Sequence, residues 1–354
     1  MNNQNIINEI RSKIDIVDLI SEYVPLSQKG KNYFGVCPFH NDTNPSMSVS
    51  REKQIYKCFS CGASGNIFTF VSEYENISFK EALSLLANKI GYKIDTGKSY
   101  TKPDLYKKYY DMYDLATKFY QNNINTHEGK EAKEYLKNRQ INEEIIKKFQ
   151  VGFSLDKKNS LIELLIKKGY TVKELVQYGL AVEDHDVYIN RIMFPLYDTS
   201  GRVVAFSGRI YGNSKLNKYV NTKETPIFKK GQCLYNYYIA KEASRKKGFV
   251  IIMEGFMDVI RASTIGYDNV VALMGTALTS EQLGLIKRLS LNIILCFDGD
   301  GAGEHATMSA GEQLEKIGIN PKVIALTGGD DPDTFIIKNG KERFDSLVES
   351  AINF

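Results

Sequence analysis

Hydrophobic positions recur along this chain at two different periods, and the predicted element changes wherever the period does. At the N-terminus Ile6, Ile10, Ile14 and Val17 fall three or four residues apart, which predicts an amphipathic helix packed on a small domain. In "MSVSREKQIYK" the pattern alternates, predicting two paired strands around the "REKQ" turn. Helical spacing returns in "SFKEALSLLANKIGYKI", where Ala82, Leu85, Leu86 and Ile90 share one face. The polar, proline-closed stretch "DTGKSYTKP" marks a boundary. Beyond it "LYKKYYDMYDLATKFYQNNI" and "EAKEYLKNRQINEEIIKKFQVGF" are helical again, and "NRIMFPLYDTSGRVVAFSGR" reads as two strands joined by a glycine turn.

The last third differs: short apolar runs alternate with helical stretches. "FVIIMEG", "NVVALMGTAL", "LNIILCFDGDGAG" and "PKVIALTGGDDPDTF" are the strands, with "FMDVIRAS" and "TSEQLGLIKRLS" as helices between them and Thr279 as a helix cap. Strand, helix, strand, helix predicts a mostly parallel sheet covered on both faces. In such sheets a ligand site lies at the carboxyl ends of the strands, where Glu254, Asp298 and Asp300 fall. No G-x-G-x-x-G opens the first of these helices, so a dinucleotide site is not the reading.

Length and charge then narrow the picture. At 354 residues the chain is expected to form two or three domains, and 43% apolar with 25% charged residues suits a soluble globular protein. The N-terminus has no secretory pattern and no apolar run is long enough to span a bilayer, so a cytoplasmic protein with no membrane contact is expected. The net charge of +4 is unevenly spread. Between Arg202 and Lys230 seven basic residues (202, 209, 215, 218, 223, 229 and 230) meet a single acid, Glu224, interleaved with Phe206, Tyr211, Tyr219 and Phe228. That is a polyanion-binding footprint. If the two strands of this region pair as the pattern predicts, alternate basic residues lie along one face.

Three of five cysteines and one of four histidines fall in "CPFHNDTNPSMSVSREKQIYKCFSCG". Cys37-x2-His40 and Cys58-x2-Cys61 are two knuckles separated by seventeen residues, which suits one tetrahedral zinc in a ribbon. A disulfide is disfavoured in a reducing compartment. Cys233 and Cys296, each inside an apolar run, are expected to be buried side chains only. Asp298 and Asp300 leave extended backbone on the same side, and with Glu254 they form a hard-oxygen group fit for magnesium.

These stretches together resemble DnaG-type DNA primases of bacteria and phages over nearly the whole chain. "CPFHNDTNPSMSV" with "IYKCFSCGASGNIFTFV" is similar to their zinc-binding domain, "KYVNTKETPIFKKGQCLYN" to their basic motif, and "MEGFMDVI", "FDGDGAG" and "DDPD" to their TOPRIM domain. The resemblance implies an α+β and α/β multidomain fold: zinc ribbon over 1–96, linker 97–103, mixed α+β basic subdomain 104–240, and TOPRIM subdomain 241–354 with a mostly parallel sheet. It implies zinc on Cys37, His40, Cys58 and Cys61. Two or more Mg2+ or Mn2+ ions would sit on Glu254, Asp258, Asp298, Asp300, Asp331 and Asp333, with Glu254, Asp298 and Asp300 catalytic. Nucleic acid or nucleotide would meet Arg51, Lys53, Tyr56, Lys57 and Phe59 in the ribbon, and Arg139, Arg191, Arg209, Lys218, Asn221, Lys229 and Lys230 in the core. The family commonly has glycine after the arginine at 139, where this chain has Gln140, so a different local turn is expected. The implied activity is synthesis of short RNA primers on single-stranded DNA from ribonucleoside triphosphates during DNA replication, by a monomer. Cellular members continue into a helical bundle and a helicase-binding domain after the point where this sequence stops, so docking of the replicative helicase through its own C-terminus is not expected. A TOPRIM enzyme that cuts and rejoins DNA, or a non-catalytic single-strand binder, is the rival reading; the complete acidic set argues against the latter.

Overall fold

A computed structural model of the chain describes residues 3–40, 42, 44–75, 77–92, 106–212, 217–275, 278–326 and 328–354. The chain divides into two units, Met1–Pro103 and Asp104–Phe354. The 97–103 linker and Lys215 lie outside the described residues.

The first unit is built on five short antiparallel strands, Ser27–Lys29, Asn32–Gly35, Met47–Ser50, Ile55–Cys58 and Ser64–Gly65, ordered as in the sequence. Around "REKQ" the third and fourth strands pair as expected, Met47 opposite Cys58 and Ser50 opposite Ile55. The N-terminal segment is two helices rather than one, Asn3–Lys13 and Ile16–Ser21, because Asp15 adopts an extended conformation and its carboxylate caps the second. Ile6, Ile10, Ile14 and Val17 are nevertheless all buried. The helix Phe79–Lys89 starts at a capping box made by Ser78 and Glu81. It buries Ala82, Leu83, Leu86 and Ala87, so its inward face is rotated from the expected one and Leu85 is 39% exposed.

The second unit holds two larger sheets. An antiparallel sheet runs in the order Tyr219–Asn221, Val203–Arg209, Arg191–Tyr197, Gly152–Ser154. Its two long strands are buried on both faces. Ile192, Phe194 and Leu196 join Met253 and Phe256 in one cluster, while Met193 and Phe206 pack with Met112 and Tyr113 of the helix Lys107–Asn123. The expected basic face along these strands is therefore absent: apolar side chains fill both faces, and Arg191 and Arg209 stand at the strand ends. The other sheet is the predicted parallel one, Val270–Ala272, Val250–Met253, Ile293–Leu295 and Lys322–Val323, with Ile352–Asn353 added antiparallel at the edge. Ile251 and Met253 pack on one face, Val250 and Ile252 on the other, so helices and the antiparallel sheet enclose it as a fully buried parallel sheet requires. One core runs from Ile124 to Phe344, so the stretches 104–240 and 241–354 share apolar packing.

Gln140 keeps the turn that glycine would make. Its φ is +56°, the left-handed region, immediately after the helix Lys130–Asn138 and its C-cap Arg139.

Candidate active site and metal centre

In the first unit, the ligand atoms of Cys37, His40, Cys58 and Cys61 all lie within 4.8 Å of one another. Cys37 Sγ and Cys61 Sγ are 3.7 Å apart, far beyond a disulfide bond and close to the edge of about 3.8 Å that a tetrahedron with zinc–sulfur bonds of about 2.3 Å has. His40 Nδ1 lies 3.9 Å from Cys58 Sγ. The donor set is therefore that of a structural zinc, and it fits. Cys58 Sγ accepts from the backbone N–H of Ser60 and Cys61, both at 3.4 Å, and its pKa is lowered to about 6 although burial opposes this. Burial pushes the Cys37 thiol up, so metal binding there must displace its proton. Asp42, which the sequence reading missed, accepts from Cys37 N at 2.8 Å and from Ser46 Oγ, and its other oxygen lies 3.8 Å from His40 Nε2. An acid two residues after a ligand histidine was the available signal.

The ribbon residues expected at nucleic acid separate into two groups. Phe59 is 70% exposed beside Lys57, and Lys53 is exposed at the turn. Tyr56, by contrast, is wholly buried, packed edge-on against Phe70 and tilted against Phe39, with its hydroxyl donating to Glu73 at 2.8 Å. It is a core ring and offers no face to a base. Arg51 lies across Tyr33 and is ion-paired with Asp15 and Asp18.

In the second unit, each acid is placed by a strand end or a helix start. Glu254 follows the strand Val250–Met253, and its Oε1 accepts from Asp298 N at 3.2 Å, drawing it towards the end of the neighbouring strand. Asp300 and Asp331 are the N-caps of the helices Gly301–Lys316 and Pro332–Glu349. Asp258 lies in the first turn of the helix Phe256–Thr264, buried, accepting from Gly255 N at 3.1 Å and Asp333 N at 3.2 Å.

These carboxylates sense one another. Burial, then Asp298 and Asp331, pushes Asp258 up to about 8. Burial, then Glu254, Asp331 and Asp300, pushes Asp298 up to about 6, with Lys218 pulling the other way. Asp298 Oδ1 is buried with no hydrogen-bond partner, a costly arrangement for a carboxylate unless a cation completes it. Hard oxygen donors with one unpartnered buried atom fit a divalent ion such as Mg2+ or Mn2+.

Asp333 departs from its expected role as a metal ligand. It is buried, and both of its oxygens are engaged, Oδ1 by Arg261 Nε at 2.7 Å and Oδ2 by the guanidinium of Arg139. Arg139 is therefore turned into the protein towards Asp333. The sequence reading passed over Arg261, although it stands three residues after Asp258 on the same helix.

Among the remaining basic residues, Arg191 is buried and donates to the carbonyls of Gly208 at 3.2 Å and Asn217 at 3.0 Å. Arg209 is buried between Tyr135 and Tyr219 and donates to both hydroxyls. Both arginines pin backbone and rings in place. Lys218, Asn221 and Lys230 are exposed, and Lys229 pairs with Glu224 at 3.4 Å. Lys218 acts on Asp298, and Lys230 reaches Gly275, just past the strand Val270–Ala272. These two lysines stand at the acidic edge of the parallel sheet.

Two consequences can be measured. Asp258 and Asp298 hold protons in the fold that they would release on unfolding. The stabilisation this gives is full near pH 4 and is lost as pH rises through about 6 and then about 8. The metal-free protein should therefore melt at lower temperature as pH rises through that window. Asp258→Asn should flatten the upper part of the dependence, and saturating Mn2+ should oppose it. Separately, a Cβ on Gly303 would run into the carbonyl of Asp298. Gly303→Ala should cost about 1–3 kcal/mol in chemical denaturation and weaken Mn2+ binding by calorimetry at least about tenfold.

Three family models match: a CHC2 zinc finger over residues 2–102, a DNA primase catalytic core N-terminal domain over 119–241, and a Toprim-like domain over 251–336. The DNA primase of Clostridium acetobutylicum is 41% identical over 357 residues, covering 99% of this chain. That of Staphylococcus aureus is 41% identical over 361 residues, covering 98%. The chain spans 59% of the length of each of these relatives. Among solved structures, the zinc-binding and RNA polymerase domains of the Aquifex aeolicus primase superpose with a TM-score of 0.65 at 37% identity, over 99% of this chain and 86% of that one. A DnaG primase catalytic domain bound to single-stranded DNA gives 0.64 at 33% identity, over 69% of this chain and 78% of that one.

Proposed function

The chain belongs to the DnaG-type DNA primases, and from that premise we propose that it copies single-stranded DNA into short RNA primers from ribonucleoside triphosphates during replication in the cytoplasm. The observation that carries the reading is the acidic edge of the parallel sheet, with its unpartnered Asp298 oxygen, facing Lys218. Glu254, Asp258, Asp298, Asp300 and Asp331 would hold divalent ions, whose chemistry there would be to lower the pKa of an attacking 3′-hydroxyl and to take up charge on the departing pyrophosphate. Lys218 and Lys230 neutralise and align the incoming triphosphate beside that edge. No protein side chain here is assigned as general base. Lys57 and Phe59 give the ribbon charge for phosphate and a ring for a base, the usual equipment for single strands. The domain assignment that goes with this reading is a ribbon over 1–96, a basic subdomain over 104–240 and a TOPRIM subdomain over 241–354.

The test supplies single-stranded DNA, labelled ribonucleoside triphosphates and Mg2+ or Mn2+. Short ribonucleotide products that require the template are expected. Nicking of DNA without ribonucleotide incorporation would replace this reading with that of a cleaving TOPRIM enzyme.

A further inference from the structure

Inside the second unit, Asp333 is held by two arginines, Arg261 within the helix Phe256–Thr264 and Arg139 at the C-cap of Lys130–Asn138. Arg261 is 2% exposed and Asp333 5% exposed. Arg261 reaches Asp333 through Nε at 2.7 Å and spends a terminal nitrogen on the backbone carbonyl of Arg139, while the Arg139 guanidinium takes the other Asp333 oxygen. The planar guanidinium fork serves the carboxylate and the carbonyl at once with its donors fixed in one plane. The held residue then acts on the acidic edge: Asp333 N–H donates to Asp258 Oδ1, and Asp331, two residues earlier, is the N-cap of the same helix.

We propose that Arg261 is a positioning residue for the divalent-metal site, fixing Asp258 and Asp331 in register through Asp333. This rests on the reading of the acidic edge as a metal site. Arg261 stands one turn after Asp258 on the helix Phe256–Thr264, and Asp333 lies in the first turn of Pro332–Glu349. The buried pair therefore couples the two helices that carry these carboxylates, and a ligand shell is only as well placed as the groups behind it.

Three roles for Arg261 predict three different signs. A buried cation acting by charge alone repels metal, so its loss tightens binding. A purely structural pair lowers the melting temperature and leaves the affinity of the folded protein unchanged. A positioning residue, when lost, weakens binding.

The experiment titrates Mn2+ into the full chain with its zinc site loaded, following free Mn2+ by electron paramagnetic resonance, for wild type, Arg261→Met, Arg261→Lys and Asp298→Asn. Arg261→Met should weaken Mn2+ binding about tenfold. Its primer synthesis should need correspondingly more Mn2+ and approach the wild-type rate at saturation. Arg261→Lys keeps the charge without the fork and should recover part of the affinity. Unchanged or tighter binding in Arg261→Met overturns the proposal. If that variant does not fold, Arg261→Lys decides: weaker binding than wild type upholds the proposal, and equal or tighter binding overturns it. Mn2+ binding that Asp298→Asn leaves intact removes the metal-site reading and this inference with it. Binding lost in Asp298→Asn but unaltered in Arg261→Met removes the inference alone.

Discussion

Asp298→Asn should lower template-dependent primer synthesis by about a thousandfold and, at pH 8, should raise the melting temperature of the metal-free protein. The two effects have opposite signs because they come from the same charge. Glu254, Asp331 and Asp300 all raise the pKa of Asp298, on top of burial, so three neighbouring charges act on it. Its Oδ1 is buried without a partner. In the metal-free state that charge is a cost, and replacing it by an amide of the same shape removes the cost. With a cation present the same charge is the attraction, and an amide cannot supply it. Since the Asp298 carboxyl is pushed up to about 6, the gain in stability should fade as pH falls below that value, where the wild-type group already carries a proton. Synthesis on a single-stranded template and thermal melts at pH 5 and pH 8 read out both halves. A variant that lost activity and stability together at pH 8 would make Asp298 a structural residue and count against the metal site. Asp333→Asn provides the contrast. Its carboxylate is paired with two arginines, so neutralising it should lower stability at every pH where the pair is charged.

The difference between Asp331 and Asp333 shows where a sequence stops being informative. Both belong to "DDPD", and the spacing alone offers both as ligands. In the fold Asp331 is an N-cap and Asp333 stands two residues further, inside the first turn. Successive helical residues turn by about 100°, so Asp333 points away from the site that Asp331 can face, into Arg261 and Arg139. Nothing local announces that a helix begins between them on that register, apart from Pro332 at its first position.

Tyr56 is legible from strand alternation. Cys58 must point inward to share a metal with Cys37, and side chains two apart on a strand share a face. Tyr56 therefore had to be inward too, with Ile55 and Lys57 outward, which is the burial observed. That Cys37, His40, Cys58 and Cys61, and likewise Glu254, Asp298 and Asp300, come together was readable because their spacing and strand ends are local properties. Arg191 and Arg209 were not, because what buries them comes from elsewhere in the chain: Tyr135 and Tyr219 enclose Arg209, and Arg191 donates to the carbonyls of Gly208 and Asn217.

Stripping zinc should unfold the first unit and leave the second standing. The strands of the ribbon are at most four residues long, and two of the four ligands, Cys37 and Cys58, are themselves buried in its core. Structural zinc binds small domains with about 10–16 kcal/mol, which equals or exceeds the roughly 5–15 kcal/mol by which a whole domain is stable. Losing it therefore removes stabilisation as large as a domain's whole margin. The same ligands set the pH dependence. Hydrogen bonds lower the pKa of Cys58, whereas burial pushes the Cys37 thiol up, so Cys37 must surrender a proton when metal enters. Binding thus releases protons, and the affinity for zinc should rise with pH, so the free zinc needed to half-fill the site should be higher at pH 6 than at pH 8. The measurement is limited proteolysis of the full chain after chelation. Cuts should appear within residues 3–92, a fragment covering 106–354 should persist, and added zinc should restore protection. The parallel sheet and its enclosing helices make no use of the four ligands, so simultaneous loss of both units would show that zinc supports more than the ribbon. A metal-free ribbon that resisted the protease would remove the structural role altogether and leave Cys37, His40, Cys58 and Cys61 as a site the fold can do without.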